Sequence, residues 1–258
     1  MNEIMYLLKF GQRDHIDQFA AGSIYCSNAV TIRKIEKEIR IKGQGDILEG
    51  SSKVFAQRFS LYSHENDQLV FSAGMSNMLV HYVPADFIPV FCLFAVFERD
   101  CKEDDNGIPR INLSDTTKKV IREHFPNANA VAIIKNPSLF IENVRDTIGY
   151  EIKSELVHYF HIDNGYEAAD GKQTAMDMDY MKYLVQDTPP KRGEGMVEYS
   201  FSANYVYRVL MCKDIFFVDE QEFRIVLPYE SIKEGTAYPV HIDEKIEVMD
   251  LDKFFSEY

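Results

Sequence analysis

The sequence lacks the features of a membrane-spanning or secreted chain. Its longest apolar run, residues 87–97, has the length of a β-strand and contains a proline, whereas a membrane span needs about 20 apolar residues. The N-terminus has no basic region followed by an apolar segment and a small-residue cleavage site, the combination that forms a signal peptide. We therefore expect a cytoplasmic protein that does not insert into a membrane.

Cysteine is scarce and scattered. The four cysteines, Cys26, Cys92, Cys101 and Cys212, form no C-x-x-C pair and no short-spaced motif with histidine. A structural zinc site or a disulfide framework is therefore not expected, and buried free thiols are. The seven histidines are equally dispersed, so the sequence predicts no metal-ligating set of residues.

Positive charge and the common catalytic signatures are also lacking. The 28 Lys and Arg residues stand against 41 Asp and Glu residues, which gives a net charge of -13. This excess of negative charge opposes non-specific binding to nucleic-acid phosphates, although it does not forbid a local basic groove.

The sequence contains no G-x-S-x-G, H-E-x-x-H, P-loop or kinase motif, and Gly43 and Gly45 lack the third glycine of a dinucleotide-binding loop.

What the sequence does contain is material for a large core. Apolar residues make up 46% of the 258 positions, with 18 Phe and 15 Tyr, which is ample for a folded domain. Helical segments follow capping residues such as Asn28 and Ser114. Consecutive strands are predicted over residues 54–61, 69–72, 78–83 and 90–97. The pattern predicts an α+β fold, with mainly antiparallel central strands and flanking helices, as a single domain over residues 1–258.

Residues 213–227 form the segment around which we organise the rest. From Glu220 onward polar and apolar residues alternate strictly, which predicts a half-buried strand with Glu220, Glu222 and Arg224 on one face. Two carboxylates at such a short distance repel each other, and Arg224, a ligand or solvent must offset this repulsion. An exposed strand face whose Glu–Arg pair serves only solubility would show the same pattern, so both interpretations stay open.

Four sequence elements belong together: Tyr6-x-x-Lys-Phe10, Gly22-x-Ile-Tyr25-x-Ser27, Gly45-Asp-x-x-Glu-Gly50 and Lys213-x-x-x-Phe217-x-x-Glu220-x-Glu222-x-Arg224. In combination they resemble a broad bacterial family of phage-defence toxins, many of whose members have no assigned function. The family is similar in layout to ADP-ribosyltransferases, including DarT-like enzymes and the toxins of toxin–antitoxin–chaperone systems. This chain departs from them in its first strand, where Lys9 is the nearest polar residue to the expected His or Arg.

The resemblance implies a transferase that uses NAD as its substrate and modifies a macromolecule, which could be RNA, DNA or protein. Cleavage of the nicotinamide–ribose bond develops positive charge on the sugar, and a fixed carboxylate stabilises that charge. The resemblance assigns this carboxylate to Glu222 and the orientation or deprotonation of the acceptor to Glu220. Arg224 would neutralise the acid pair or bind the pyrophosphate. The NAD pocket would be lined by residues at the ends of the first two strands: Lys9, Tyr25, Ser27 and Asn28. An antitoxin or a chaperone is the implied partner.

Two other functions stay open on the sequence. A non-catalytic binding module would keep the same scaffold and present the acidic strand to a partner. A metal-dependent nuclease would use the carboxylates Asp46, Glu49, Glu220 and Glu222. Asp46 and Glu49 stand in a glycine-rich acidic loop, which is more often a solvated turn than a cation site.

Overall fold

The structure, a computed structural model, describes residues 3–39, 45–56, 59–63, 65–74, 76–163, 166–167, 173–174, 177–188, 191–193, 196–198 and 202–258. The chain divides into two compact units. Unit 1 comprises Met1–Ile47, Phe87–Val157 and Phe216–Tyr258, and unit 2 comprises Leu48–Asp86 and His158–Ile215. The single domain predicted for residues 1–258 stays a prediction.

Short helices and strands make up both units. The described α-helices are α1 (Arg13–Ala20), α2 (Ala29–Ile39), α3 (Asp115–His124), α4 (Pro137–Ile148), α5 (Met178–Val185) and α6 (Leu251–Glu257). The described strands are β1 (Ile4–Gly11), β2 (Ser23–Cys26), β3 (Ser51–Ala56), β4 (Phe59–Tyr62), β5 (Leu69–Ala73), β6 (Ser76–His81), β7 (Val90–Phe97), β8 (Cys101–Glu103), β9 (Pro109–Ile111), β10 (Ala130–Ile134), β11 (Lys153–Leu156), β12 (His158–Phe160), β13 (Tyr166–Glu167), β14 (Gln173–Thr174), β15 (Lys191–Gly193), β16 (Met196–Glu198), β17 (Cys212–Asp214), β18 (Glu222–Val226), β19 (Thr236–Pro239) and β20 (Glu247–Asp250). Short 3-10 helices cover Val83–Ala85, Glu98–Asp100, Ala203–Met211 and Ile215–Glu220.

Unit 1 is built on a six-stranded sheet in the order β11–β18–β7–β1–β10–β20. Every neighbouring pair in this sheet is antiparallel. The predicted α+β class with antiparallel central strands is therefore confirmed. A separate two-stranded ribbon joins β2 to β19, and β8 pairs with β9.

Both faces of the central sheet are buried, and each has its own apolar core. Because successive residues of a strand point to opposite faces, Leu7 and Leu8 of β1 belong to different clusters. The first face carries Leu7, Phe91, Leu93, Phe223 and Ile225, packed with residues of α1, α4 and β2. The second face carries Leu8, Phe94, Val96, Val131 and Ile133, packed with residues of α3 and α6. Burial on two sides explains why β7 is an unbroken apolar run, since each buried aliphatic or aromatic side chain contributes about 1.5–3 kcal/mol.

Local signals in the sequence set several of the element ends. Gly22 follows α1 with a φ of +93°, and a Cβ there would lie 2.5 Å from the carbonyl oxygen of Val240, so no other residue fits. Asn28 caps α2, because its Oδ1 accepts a hydrogen bond of 2.8 Å from the amide of Thr31. Ser114 caps α3 in the same way through the amide of Thr117. These two caps confirm the predicted helix starts.

Unit 2 is made of paired strands rather than one sheet. β3 pairs with β6 and β4 with β5, each antiparallel, whereas β12 and β17 run parallel. Its buried side chains include Tyr180, Leu184 and Leu210. The single strand predicted over residues 54–61 is instead divided between β3 and β4, and positions 57–58 lie outside the described residues.

The strand predicted from Glu220 onward begins two residues later than expected, at Glu222. The chain forms β17, then the 3-10 helix Ile215–Glu220, and only then β18, which starts at Glu222. Gln221 lies between them with a φ of +43°, so Glu220 does not share a strand with Glu222. β18 is buried along its whole length, and the expected half-buried strand is therefore also wrong, because the sheet is covered on both faces.

No helix in the described part of the chain combines the length and the apolar character needed to cross a membrane. The longest described α-helix, α4, has 12 residues and is amphipathic.

Replacement of Asn28 by Ala should lower the free energy of unfolding by about 2 kcal/mol. The change removes the cap of α2, worth about 1 kcal/mol. It also removes the 2.8 Å hydrogen bond from Nδ2 to the buried carbonyl of Ile232, worth about 1 kcal/mol more. Urea unfolding followed by circular dichroism measures the loss. The control is Asn136→Ala, because Asn136 caps α4 through an exposed 3.1 Å bond only. Equal losses of unfolding free energy in the two variants would show that the bond from Asn28 to Ile232 adds no stability.

Candidate functional site

The three residues Glu220, Gln221 and Glu222 form a turn in which each side chain has a defined partner. Oε1 of Glu220 lies 2.8 Å from Nδ1 of His124, at the end of α3. The Nε2 of Gln221 donates to the carbonyl of Ala95 at 3.2 Å and to Oδ2 of Asp100 at 3.1 Å. These contacts hold Gln221 in the left-handed region, which costs a non-glycine residue about 1 kcal/mol or more.

Glu222 is bound on β18 by Arg224, two residues further along the same strand. The Nε of Arg224 donates to Oε1 of Glu222 at 2.7 Å, and one terminal nitrogen donates to Oε2 at 3.3 Å. The Arg224 side chain is 1% exposed, so this ion pair is buried. Buried charges of opposite sign depend on each other, because an unpaired charge cannot recover its lost hydration.

The thiol of Cys92 lies beside this pair on the neighbouring strand. Arg224 of β18 has a directly opposed residue on each neighbouring strand. These residues are Cys92 on β7 and Glu155 on β11. Burial raises the pKa of the Cys92 thiol, and the charge of Glu222 and a hydrogen bond to its carboxylate raise it further. The thiol is therefore a neutral donor to Glu222 rather than a nucleophile.

Lys9 is at the wall of a cavity of about 330 Å³ in unit 1. Its Nζ donates to the carbonyl of Cys92 at 2.7 Å and lies 4.8 Å from the centre of the Phe91 ring. Within the described residues no carboxylate forms an ion pair with this half-buried ammonium. The cavity lining includes Lys9, Gly11, His15, Gln18, Tyr25 and Phe91, and none of its described residues is Asp or Glu.

The Lys9 cavity and the Glu222–Arg224 pair lie on opposite faces of the sheet. In the antiparallel register Glu222 stands opposite Phe94 on β7, and Phe94 stands opposite Leu8 on β1. Directly opposed residues point to the same face, so Glu222 shares the second face with Leu8. Lys9 follows Leu8 and points to the first face. The resemblance implies that Lys9 and Glu222 share one pocket, but the structure places them on opposite faces of the sheet.

The other residues predicted to bind NAD separate in a similar way. Tyr25 lines the Lys9 cavity and is 62% exposed. Ser27 lies outside the lining and forms a two-way backbone bridge with Val90, at 2.9 and 2.8 Å. Asn28 is fully buried and turned into α2 and towards Ile232. Arg224 is engaged by Glu222 on the second face.

Sequence reasoning missed the polar residues that α1 and β2 contribute to the cavity. His15 and Gln18 stand three residues apart on α1, and Ser23 begins β2; all three line the cavity. The i, i+3 spacing places two helical residues on one face, and the polar side of α1 was the available signal. Nothing in the sequence showed that this side meets the end of β1.

The acidic loop offers no metal centre in the described structure. Asp46 in unit 1 and Glu49 in unit 2 are both buried, and so they are not part of a solvated turn. Over the described ranges, no group of three or more His, Cys, Asp or Glu side chains is arranged to hold a metal ion. The nuclease alternative stays a prediction from the sequence.

Comparison of the chain with protein-family models, with curated proteins and with solved structures finds no match. The likeness to ADP-ribosyltransferases therefore stays a prediction from the sequence motifs.

Replacement of Glu222 by Gln should lower the free energy of unfolding by about 3 kcal/mol, because it removes the buried carboxylate that accepts two hydrogen bonds from the buried Arg224. Chemical unfolding in urea at neutral pH measures the effect. The control is Asp252→Asn, which removes the partner of Arg122 in a 2.7 Å pair with both side chains exposed. That change should cost less than about 1 kcal/mol. Similar losses in the two variants would show that the Glu222–Arg224 pair is not structural.

Replacement of Cys26 by Ala should flatten the alkaline loss of stability. Burial raises the pKa of the Cys26 thiol to about 12, and the positive charge of Lys9 opposes that rise. An unfolded thiol ionises near about 8.5, so between about pH 9 and 12 the unfolded state has lost a proton that the folded state keeps. Stability therefore falls as the pH rises through this window, by at most about 1.4 kcal/mol per pH unit for one group.

The measurement is the free energy of unfolding in urea between about pH 8 and about pH 10.5. The parent should lose stability more steeply with pH than Cys26→Ala does. Ile24→Val is the control, since Ile24 is another fully buried residue of β2 and has no titratable group. An identical slope in the parent and in Cys26→Ala would rule out this role of the thiol.

Proposed function

We propose that unit 1 binds NAD, or a nucleotide of the same class, in the Lys9 cavity. One observation carries the proposal: a half-buried ammonium without a carboxylate partner among the described residues faces a cavity with aromatic walls. A cation inside a protein that has a carbonyl and an aromatic ring but no counter-ion is stabilised further when a ligand supplies the opposite charge. The resemblance to ADP-ribosyltransferases names the ligand class, and the cavity chemistry is consistent with it.

The anionic part of such a ligand fits the donors that Lys9 keeps available. An ammonium has three N–H donors, and the carbonyl of Cys92 takes one of them. The remaining two can donate to phosphate oxygens in charge-assisted hydrogen bonds. His15 and Gln18 add neutral or basic donors to the same lining. None of the described lining residues is a carboxylate, so no acidic side chain of this lining repels a phosphate at contact distance.

The aromatic part of the ligand fits the walls. Phe19, Tyr25 and Phe91 line the cavity together with Ile16 and Ala237, and planar rings bind to such side chains by stacking or edge contact. A volume of about 330 Å³ lies at the lower end of the range for small-molecule sites. The cavity therefore suits one half of a dinucleotide, with the other half over its rim.

ADP-ribosyl transfer to a macromolecule is the second candidate function, and the Glu220–Glu222 turn is the observation that favours it. The turn has the Glu-x-Glu form of the resemblance, and a strained, braced backbone such as that of Gln221 is frequent at catalytic sites. The reaction needs a carboxylate at the ribose, whereas Glu222 faces away from the cavity. Toxin activity in the cytoplasm and an antitoxin or chaperone partner belong to this second candidate.

Binding is tested by titration calorimetry with NAD. The parent should bind, and Lys9→Met should lose about tenfold to hundredfold in affinity, because a charge-assisted hydrogen bond contributes about 1.5–3 kcal/mol. The matched control is Lys118→Met, since Lys118 also donates to a backbone carbonyl, that of Phe255 at 3.0 Å, but lies outside the cavity lining. Equal affinity in the parent and Lys9→Met, or no binding by the parent, would overturn the proposal.

Transfer is tested separately by incubation of the chain with labelled NAD and cell extract. If Glu222 is the reacting carboxylate, Glu222→Gln abolishes labelling while NAD binding persists at a temperature where the variant is folded. If Glu222 is structural, labelling follows its folded fraction. Binding without any labelling by the parent would leave the chain a binding module.

A further inference from the structure

The Tyr25 ring lies directly over the backbone of Gly235. Tyr25 stands opposite Ala237 in the antiparallel β2–β19 ribbon, and Gly235 is two residues before Ala237, diagonally across from Tyr25. A Cβ on Gly235 would lie 2.0 Å from the hydroxyl oxygen of Tyr25, 2.4 Å from Cζ and 2.7 Å from Cε1. No side chain can occupy that position while the ring stays where it is.

We propose that Gly235 is a positioning residue that sets the Tyr25 ring as an aromatic wall at the mouth of the Lys9 cavity. The inference rests on the proposed nucleotide binding. Tyr25 alternates along β2 with the buried Ile24 and Cys26, so its side chain points to the opposite face of the strand. Its ring lies against the backbone of Gly235, and Tyr25 belongs to the cavity lining together with Ser23 and Ala237.

The ring, rather than the ribbon, gives way when Gly235 is replaced. The backbone of Gly235 does not have the positive φ that would strain an L-residue, in contrast to Gly22 at +93°. The three atoms nearest to a new Cβ all belong to one side chain, that of Tyr25, and this side chain is 62% exposed, so it can turn towards solvent. Gly235→Ala therefore moves the aromatic wall and leaves the fold in place.

In this proposal the Tyr25 ring binds the nucleotide by stacking against one of its planar rings. Stacking of a base on an aromatic side chain changes affinity by about tenfold or more, and it acts on the planar ring and not on the phosphates. The phosphates depend on Lys9. The two parts of the ligand can therefore be tested independently, NAD as the ligand that has rings and inorganic pyrophosphate as the one that has none.

A purely structural contact would behave differently. A tyrosine that covers a glycine in a two-stranded ribbon can stabilise the ribbon by packing alone. In that case Gly235→Ala and Tyr25→Ala would change the unfolding temperature, and they would change the affinity for NAD and for pyrophosphate equally or not at all.

The experiment is titration calorimetry of the full chain with NAD and with pyrophosphate. We expect Gly235→Ala and Tyr25→Ala each to weaken NAD binding about tenfold and to leave pyrophosphate binding unchanged. The double variant should bind NAD no more weakly than Tyr25→Ala alone, because Gly235 acts only through that ring. Lys9→Met should weaken both ligands. The control is Gly74→Ala, since no atom of another described residue, its chain neighbours aside, lies within 4 Å of a Cβ at Gly74.

The outcomes separate this inference from the function on which it rests. If the parent binds neither ligand, the proposed function fails and takes this inference with it. If the parent binds NAD and Lys9→Met weakens it, but Gly235→Ala binds as the parent does, the function stands and the role of Gly235 is overturned. Additive losses in the double variant would also overturn that role.

Discussion

The strict alternation of side chains in the central sheet constrains everything else in unit 1. Because strand residues point in turn to opposite faces, Leu8 of β1 lies in the core of the second face, whereas Lys9 points to the first face, on which Leu7 is buried. The register then carries this division across the sheet, so that Glu222 lies on the face of Leu8. A change of register by one residue would exchange the faces of every side chain. The strand register, and not the chemistry of either residue, therefore places Lys9 and Glu222 on opposite faces.

The two faces deal with buried charge in different ways. On the second face Arg224 and Glu222 neutralise each other at 2.7 Å, and such a pair is stable only while both members remain. On the first face Lys9 has the ring of Phe91 and one backbone carbonyl instead. A cation–π contact and a single hydrogen bond offset less of the lost hydration than a carboxylate would. The asymmetry makes the first face the one that can gain by binding an anion.

The sequence predicted those features that depend on neighbouring residues. The caps Asn28 and Ser114, the glycine after α1 and the apolar strand β7 follow from local chemistry and are present. The alternation from Glu220 onward was correct only from Glu222. It gave no sign that residues 215–220 form a 3-10 helix, because the pattern of polar and apolar residues there is short and mixed. The pairing partners of β18 decide where the strand begins, and they come from β7 and β11, far away in sequence.

The same limit explains why the motif residues did not converge in one pocket. A motif fixes residue types and spacing, while convergence requires that the end of β1, the polar side of α1 and the β2–β19 ribbon meet on one face. Lys9 and Tyr25 satisfy that requirement, and so do His15 and Gln18, which no motif contains. Glu222 does not meet it, because its position on β18 directs its side chain to the other face of the sheet. A carboxylate that acts at the cavity must therefore reach it from outside the described lining, or Glu222 must leave its partner. The second route requires breaking a buried ion pair, at a cost of about 3 kcal/mol or more. An anion placed at Lys9 would contact the opposite face of the sheet and so would not compensate for this cost.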